Sequence, residues 1–117
     1  QRVETERGTM FTDCCEGVFN EHPDVARSAL VGVGPAGRQT PVVVIEPKPG
    51  RFPRGPRVRT FTRELLDLIR SAANRQSAIG NWQSAQVLFH RSLPVDLRHN
   101  SKINREALAR WATRRLA

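Results

Sequence analysis

Apolar positions along the chain change period from one segment to the next, and the changes mark its elements. Residues 1–12, QRVETERGTMFT, alternate weakly around Glu6-Arg7-Gly8, which predicts a short hairpin with a glycine turn. From Asp13 the period becomes helical. Asp13 with Glu16 three residues later has the spacing of a capping box, and Cys15, Val18 and Phe19 share one face. This helix is expected to stop near His22, because Pro23 disfavours helical geometry in the residue before it.

ARSALVGVG and TPVVVIEP are β-rich runs joined by the turn-forming PAGRQ, so they pair most simply as antiparallel strands. Their nearly continuous apolar character predicts a sheet covered by helices on at least one face. Residues 47–59 form an Arg/Pro/Gly loop without periodicity. From Thr60 onward Phe61, Leu65, Leu68, Ile69, Ala72 and Ala73 return at helical spacing, giving an amphipathic helix that ends before Gly80. QVLFHR reads as a further strand, and residues 93–102 as a polar loop. Asn100 or Ser101 is placed to cap a last helix whose apolar face is Ile103, Ala107, Leu108, Trp111 and Leu116.

The order hairpin, helix, two strands, helix, strand, helix predicts one α+β domain: a small, mainly antiparallel sheet with helices packed on it. Trp82 and Trp111 are expected in the core or at its edge. No internal repeat is present. The 117 residues are enough for one core, and a start at Gln1 without an initiator Met is read as a piece of a longer protein. No run of about 18 apolar residues exists and no signal-peptide pattern, so the expectation is a cytoplasmic protein without a membrane span.

Charge adds one question. The chain holds 19 basic residues and a net charge of +8, and all of its basic residues except Lys48 and Lys102 are arginines. Such an excess raises nucleic acid or an acidic carrier protein as partner of a basic binding module. No aromatic platform accompanies the densest cluster, Arg51 to Arg63, so nucleic acid is not the favoured reading. The adjacent Cys14 and Cys15 lack the spaced partners of a zinc site. His22, at a helix end, reads as structural, His90 as a strand residue, and His99, three residues before Lys102, as able to reach the same place. GVGPAG is followed by a strand where a dinucleotide fingerprint needs a helix. Lys102 is left by elimination: a compact charge on a flexible stem, suited to meeting a developing anion, or equally a surface lysine.

Two stretches carry a resemblance. GTMFTDCCEGVFNEHPDVARSALVGVG resembles the C-terminal domain of the adenylate-forming superfamily, in which a glycine-containing hairpin leads to a helix with a Glu, a His-Pro pair and a strand ending in V-G-V; Glu16, His22 and Pro23 fit those places. LPVDLRHNSKINREALA is similar to the family's closing loop of Ser-Gly-Lys-Ile followed by Arg and Leu, with Lys102, Ile103, Arg105 and Leu108 matching in order. The loop departs from the usual form: it is longer, lacks a Thr, and has Ser101 where the Gly stands. Its wording is similar to the olefin β-lactone synthetases.

The resemblance implies a mobile lid on an absent N-terminal large domain. That domain would bind ATP, Mg²⁺ and a long-chain β-hydroxy acid, and Lys102 would meet the carboxylate and α-phosphate oxygens as an acyl-adenylate forms. It implies supporting places for His99, Asn100, Ser101 and Arg105, the last as a loop-orienting salt bridge or else a surface helix charge. Gly8 is the turn glycine near a second-step site, where a fatty acid-CoA ligase, the alternative, would admit CoA. Other olefin-pathway enzymes are implied as partners.

Overall fold

The computed structural model describes residues 2–80, 82, 85–96, 98 and 102–117. The hairpin forms as expected: β1 (Arg2–Thr5) pairs antiparallel with β2 (Gly8–Phe11), Val3 opposite Met10. Its turn needs a glycine at position 8 for conformation rather than for room. Gly8 sits at φ 123°, and a Cβ there would meet nothing within 4 Å.

α1 (Thr12–Phe19) follows directly and buries Cys15, Val18 and Phe19 on the predicted face. The capping box is not there. The N-cap position is Phe11, which makes no side-chain cap bond, and Glu16 is turned to other partners described below.

β3 (Val25–Val33) and β4 (Thr40–Pro47) pair antiparallel with Leu30 opposite Val43 and Ala29 opposite Val44. β5 (Gln86–Phe89) joins β4 on its other side in parallel, giving the order β3-β4-β5. A parallel neighbour requires a crossover, and α2 (Pro56–Ala73) supplies it.

The expected helix start at Thr60 is thus four residues late. Pro56 occupies the first turn, where a missing N–H costs nothing, so the end of the Arg/Pro/Gly segment belongs to the helix. After α2 a short 3-10 turn, Ser77–Ile79, leads back toward the sheet.

Strand geometry sends alternate residues to opposite faces, and β4 has both faces covered. Val43 and Ile45 pack with Leu30, Phe19, Phe61, Leu65 and Ile69 beneath α1 and α2, together with Trp82. Val42 and Val44 pack with Ala29, Val31 and Leu93 against Leu108 and Ala112 of α3 (Arg105–Leu116). All four consecutive β4 residues from Val42 to Ile45 are fully buried, each worth about 1.5–3 kcal/mol relative to exposure. Ala112 rather than Ala107 completes the buried stripe of α3, and Leu116 is exposed.

The 93–102 segment is not wholly a loop. β6 (Val95–Asp96) and β7 (Lys102–Ile103) pair antiparallel, Asp96 opposite Lys102. Neither Asn100 nor Ser101, both outside the described residues, is the cap of α3. Asn104 is: its Oδ1 accepts from the Ala107 N–H at 3.1 Å. Trp82 is buried in the core and Trp111 lies at its edge.

Candidate functional site around Lys102

Lys102 is the first residue of β7, in the end pair of the smallest sheet, and its side chain is exposed. Its backbone is fixed from two directions. The β6 pairing holds one side, and the Asn104 N–H donates to the Pro94 carbonyl at 2.8 Å. The ammonium makes no ion pair with a described residue. A pinned backbone bearing an unpinned cation is the arrangement that lets a lysine be presented to another surface.

The firmest tie is three residues on. Arg105 donates from Nη1 to Glu16 Oε2 at 2.7 Å and from Nη2 to Glu16 Oε1 at 3.0 Å, a forked pair across 89 residues of sequence. The same Nη1 donates to the Leu30 carbonyl at 3.1 Å, and the Leu30 N–H donates to Glu16 Oε2 at 2.8 Å. Helix α1, strand β3 and helix α3 are thereby joined at one point. The side chains are 21% and 12% exposed, dry enough for the pair to matter.

Of the two readings open for Arg105, the structure shows the salt bridge. Glu16, expected at a helix start, is the residue that sequence reasoning placed wrongly. Its sequence signals were a carboxylate set among the apolar positions Cys15, Val18 and Phe19 and its match to the Glu of the resembled helix.

Lys102 and Arg105 lie along one open groove of about 870 Å³, shared with Asp13, Asp96, Arg98 and Glu106. Asp96 accepts from the Arg98 N–H at 3.0 Å. Gly8 is not among the residues of this groove. His99, Asn100 and Ser101 lie outside the described residues. No cluster of three or more His, Cys, Asp and Glu able to hold a metal occurs among the described residues.

The other reactive groups are engaged in structure. His22 is buried, its Nε2 at 2.7 Å from Glu64 Oε1, its Nδ1 accepting from the Asp24 N–H at 3.0 Å, its ring stacked on Phe61. Hydrogen bonds from Arg57 and then His22 hold the Glu64 carboxyl below the usual range. Burial pushes the His90 imidazole down, opposed by Glu46 and aided by Arg115, beside the Trp111 ring at 4.5 Å. Cys15 is buried, which pushes its thiol up to about 12 and leaves it unreactive; Cys14 is exposed.

No family model matches the chain. Its fold matches an acyl-CoA synthetase of Brucella canis over 100% of this chain and 20% of that one, with TM-score 0.72 at 20% identity. It matches an amide bond synthetase of Marinactinospora thermotolerans over 94% of this chain and 20% of that one, with TM-score 0.67 at 23% identity. The fold is therefore one that both of these synthetases carry in about a fifth of their chain.

In sequence the chain is similar to olefin beta-lactone synthetases. It is 44% identical to that of Xanthomonas campestris pv. campestris over 112 residues, 95% of this chain and 18% of the relative. It is 42% identical to that of Stenotrophomonas maltophilia over 116 residues, 99% of this chain and 19% of the relative. The chain spans about a fifth of the length of these relatives. No helix among the described residues is long and apolar enough to cross a membrane.

Proposed function

We propose that this chain is the C-terminal lid of a larger ATP-dependent, AMP-forming enzyme that converts long-chain β-hydroxy acids to β-lactones, and that Lys102 is its catalytic residue. The observation that carries the reading is Lys102 itself: an exposed ammonium, without an ion pair among the described residues, on a strand anchored by pairing with β6 and by the neighbouring Arg105–Glu16 bridge. The 42–44% identity to olefin beta-lactone synthetases over nearly all of this chain supports the choice of reaction.

In the first step the substrate carboxylate attacks the α-phosphorus of ATP and pyrophosphate leaves. Negative charge gathers on the carboxylate and α-phosphate oxygens, and an ammonium placed there is worth more in that transition state than in the separated reactants. In the second step the β-hydroxyl loses its proton and attacks the acyl carbonyl, closing the four-membered ring while AMP leaves. ATP and Mg²⁺ belong to the large N-terminal domain in this reading. This chain contributes Lys102, with Arg105 holding the turn from which it projects, and its place in the cytoplasm and beside other olefin-pathway enzymes follows from the same reading.

The test uses the full-length enzyme and its Lys102→Ala variant with ATP, Mg²⁺ and a long-chain β-hydroxy acid, with and without CoA, and products identified by mass spectrometry. β-Lactone and AMP are expected without CoA, with kcat reduced about 10²- to 10³-fold in the variant. A thioester formed only with CoA would make the enzyme a fatty acid-CoA ligase, and an unimpaired variant would remove Lys102 from catalysis.

A further inference from the structure

The arginines at the carboxyl ends of the two parallel strands form a concave site apart from the Lys102 groove. The chain leaving β4 supplies Arg51, Phe52 and Arg54, the chain leaving β5 supplies Arg91, and the first turns of α2 supply Arg57. With Asp24 these line a pocket of about 490 Å³. The crevice beyond the carboxyl ends of parallel strands is where open α/β sheets place ligands, because the connecting loops diverge there.

The charges in this pocket do not cancel. Asp24 is already used, its Oδ2 accepting from Arg57 at 3.1 Å and its Oδ1 standing 3.7 Å from Arg51. Arg57 is further neutralised by Glu64 at 3.0 Å. Arg54 and Arg91 have no carboxylate within ion-pair distance among the described residues. The Arg91 guanidinium carbon stands over the Phe52 ring, 4.1 Å from its centroid, and Phe52 in turn meets Phe89 edge-on.

The loop that carries these groups is braced. The Lys48 N–H donates to the Asp24 carbonyl at 2.9 Å, the Arg51 N–H to the Lys48 carbonyl at 2.9 Å, and the Arg57 N–H to the Arg54 carbonyl at 3.1 Å. Gly50 and Gly55, at φ 79° and 55°, make the turns. The Arg91 guanidinium, set against Phe52 before a ligand arrives, loses little freedom when it binds one.

We propose that this pocket binds a compact polyphosphate anion, either inorganic pyrophosphate or the phosphate tail of a nucleotide, between Arg54 and Arg91. Planar guanidinium forks match phosphate oxygens two at a time, and two unneutralised cations facing one cavity select a ligand with more than one negative charge. An extended nucleic-acid strand fits less well. It needs a basic track with open aromatic faces, whereas the one ring here has a face covered by Arg91.

The 117-residue chain, which has a hydrophobic core of its own, is titrated calorimetrically at low ionic strength with pyrophosphate, ATP, AMP and orthophosphate. Saturable binding of pyrophosphate and ATP at one site is expected, with AMP and orthophosphate about tenfold weaker. Arg54→Ala combined with Arg91→Ala should weaken pyrophosphate about tenfold or more, while Arg110→Ala, on the exposed side of α3, should change it less than about twofold. Equal affinity for ATP and pyrophosphate would assign recognition to the phosphates alone, and tighter ATP would add the nucleoside; both support the site. Circular dichroism confirms that the double variant is folded. Absence of saturation, an equal loss in Arg110→Ala, or displacement of pyrophosphate by a short oligonucleotide at equal phosphate concentration would overturn the proposal.

Discussion

Gly32 shows how a single position can be dictated by a neighbour far away in the chain. It is an ordinary strand residue in β3, yet a Cβ there would lie 2.5–2.7 Å from the amide group of Gln39. That amide cannot retreat freely: its Oε1 accepts from the Glu4 N–H at 3.0 Å, and the Gln39 N–H donates to the Glu4 carbonyl at 2.8 Å, so it stitches the hairpin to the sheet. Gly32→Ala is expected to displace Gln39 and destabilise the fold by about 1–2 kcal/mol, measured by urea denaturation. Pairing it with Gln39→Ala tests the cause. If the amide is what the methyl group strikes, the two losses will not add, and full additivity would refute the mechanism.

The elements were legible where a periodic pattern decided them and illegible where a distant partner did. The hairpin, the buried faces of α1 and α2, and the pairing of β3 with β4 follow from alternation and helical spacing of apolar residues. The direction of β5 does not, because an apolar strand in a sheet covered on both faces reads the same parallel or antiparallel. The start of α2 was hidden by arginines and prolines that break the apolar period without breaking the helix. At the candidate site the salt bridge of Arg105 was legible as one of two readings, while the role of Lys102 rests on the resemblance and belongs to the proposal. Glu16 was misplaced, because local spacing offered a capping box while its real partners are 14 and 89 residues away.

That bridge makes an element-scale prediction. Arg105→Ala leaves Glu16 a partly buried carboxylate without its cation, and should cost roughly 2–3 kcal/mol of stability. Glu16→Gln retains an acceptor for the Leu30 N–H and should cost less. In the full-length enzyme Arg105→Lys, which keeps the charge but not the fork, is expected to lower kcat more than it raises KM, since the lysine three residues before it is mispositioned only for the transition state. An Arg105→Lys variant with unchanged kcat would reduce the bridge to a purely structural role.

At the scale of the whole molecule, one titratable group sits where β5 meets α3. His90 links β5 to Trp111 of α3, and burial lowers its pKa from 6.5, so the folded state holds the imidazole neutral more firmly than the unfolded chain does. A group whose folded pKa is depressed contributes stability that is present above its unfolded pKa and is lost as pH falls through the folded value. Melting temperature is therefore expected to decline as pH is lowered below about 6.5, with His90→Gln showing a shallower decline over the same range. Parallel profiles for the two proteins would show that α3 is not held by a neutral His90.

The division of labour between this chain and the rest of its proposed enzyme leads to a stronger test. The groove beneath Lys102 is open and Lys102 is exposed, so the cation stands on a surface that does not by itself enclose a reacting acid. An electrostatic stabiliser gains most of its strength when water is shut out and charge develops against it in a closed site. Closing the site takes a second surface, and under the proposed reading that surface is the large domain. The isolated chain should release no pyrophosphate from ATP when given a long-chain β-hydroxy acid. Adding the separately prepared large domain should raise release above that of the large domain alone, and the gain should disappear with Lys102→Ala. Turnover by the isolated chain would place a complete active site within these 117 residues and overturn the lid reading.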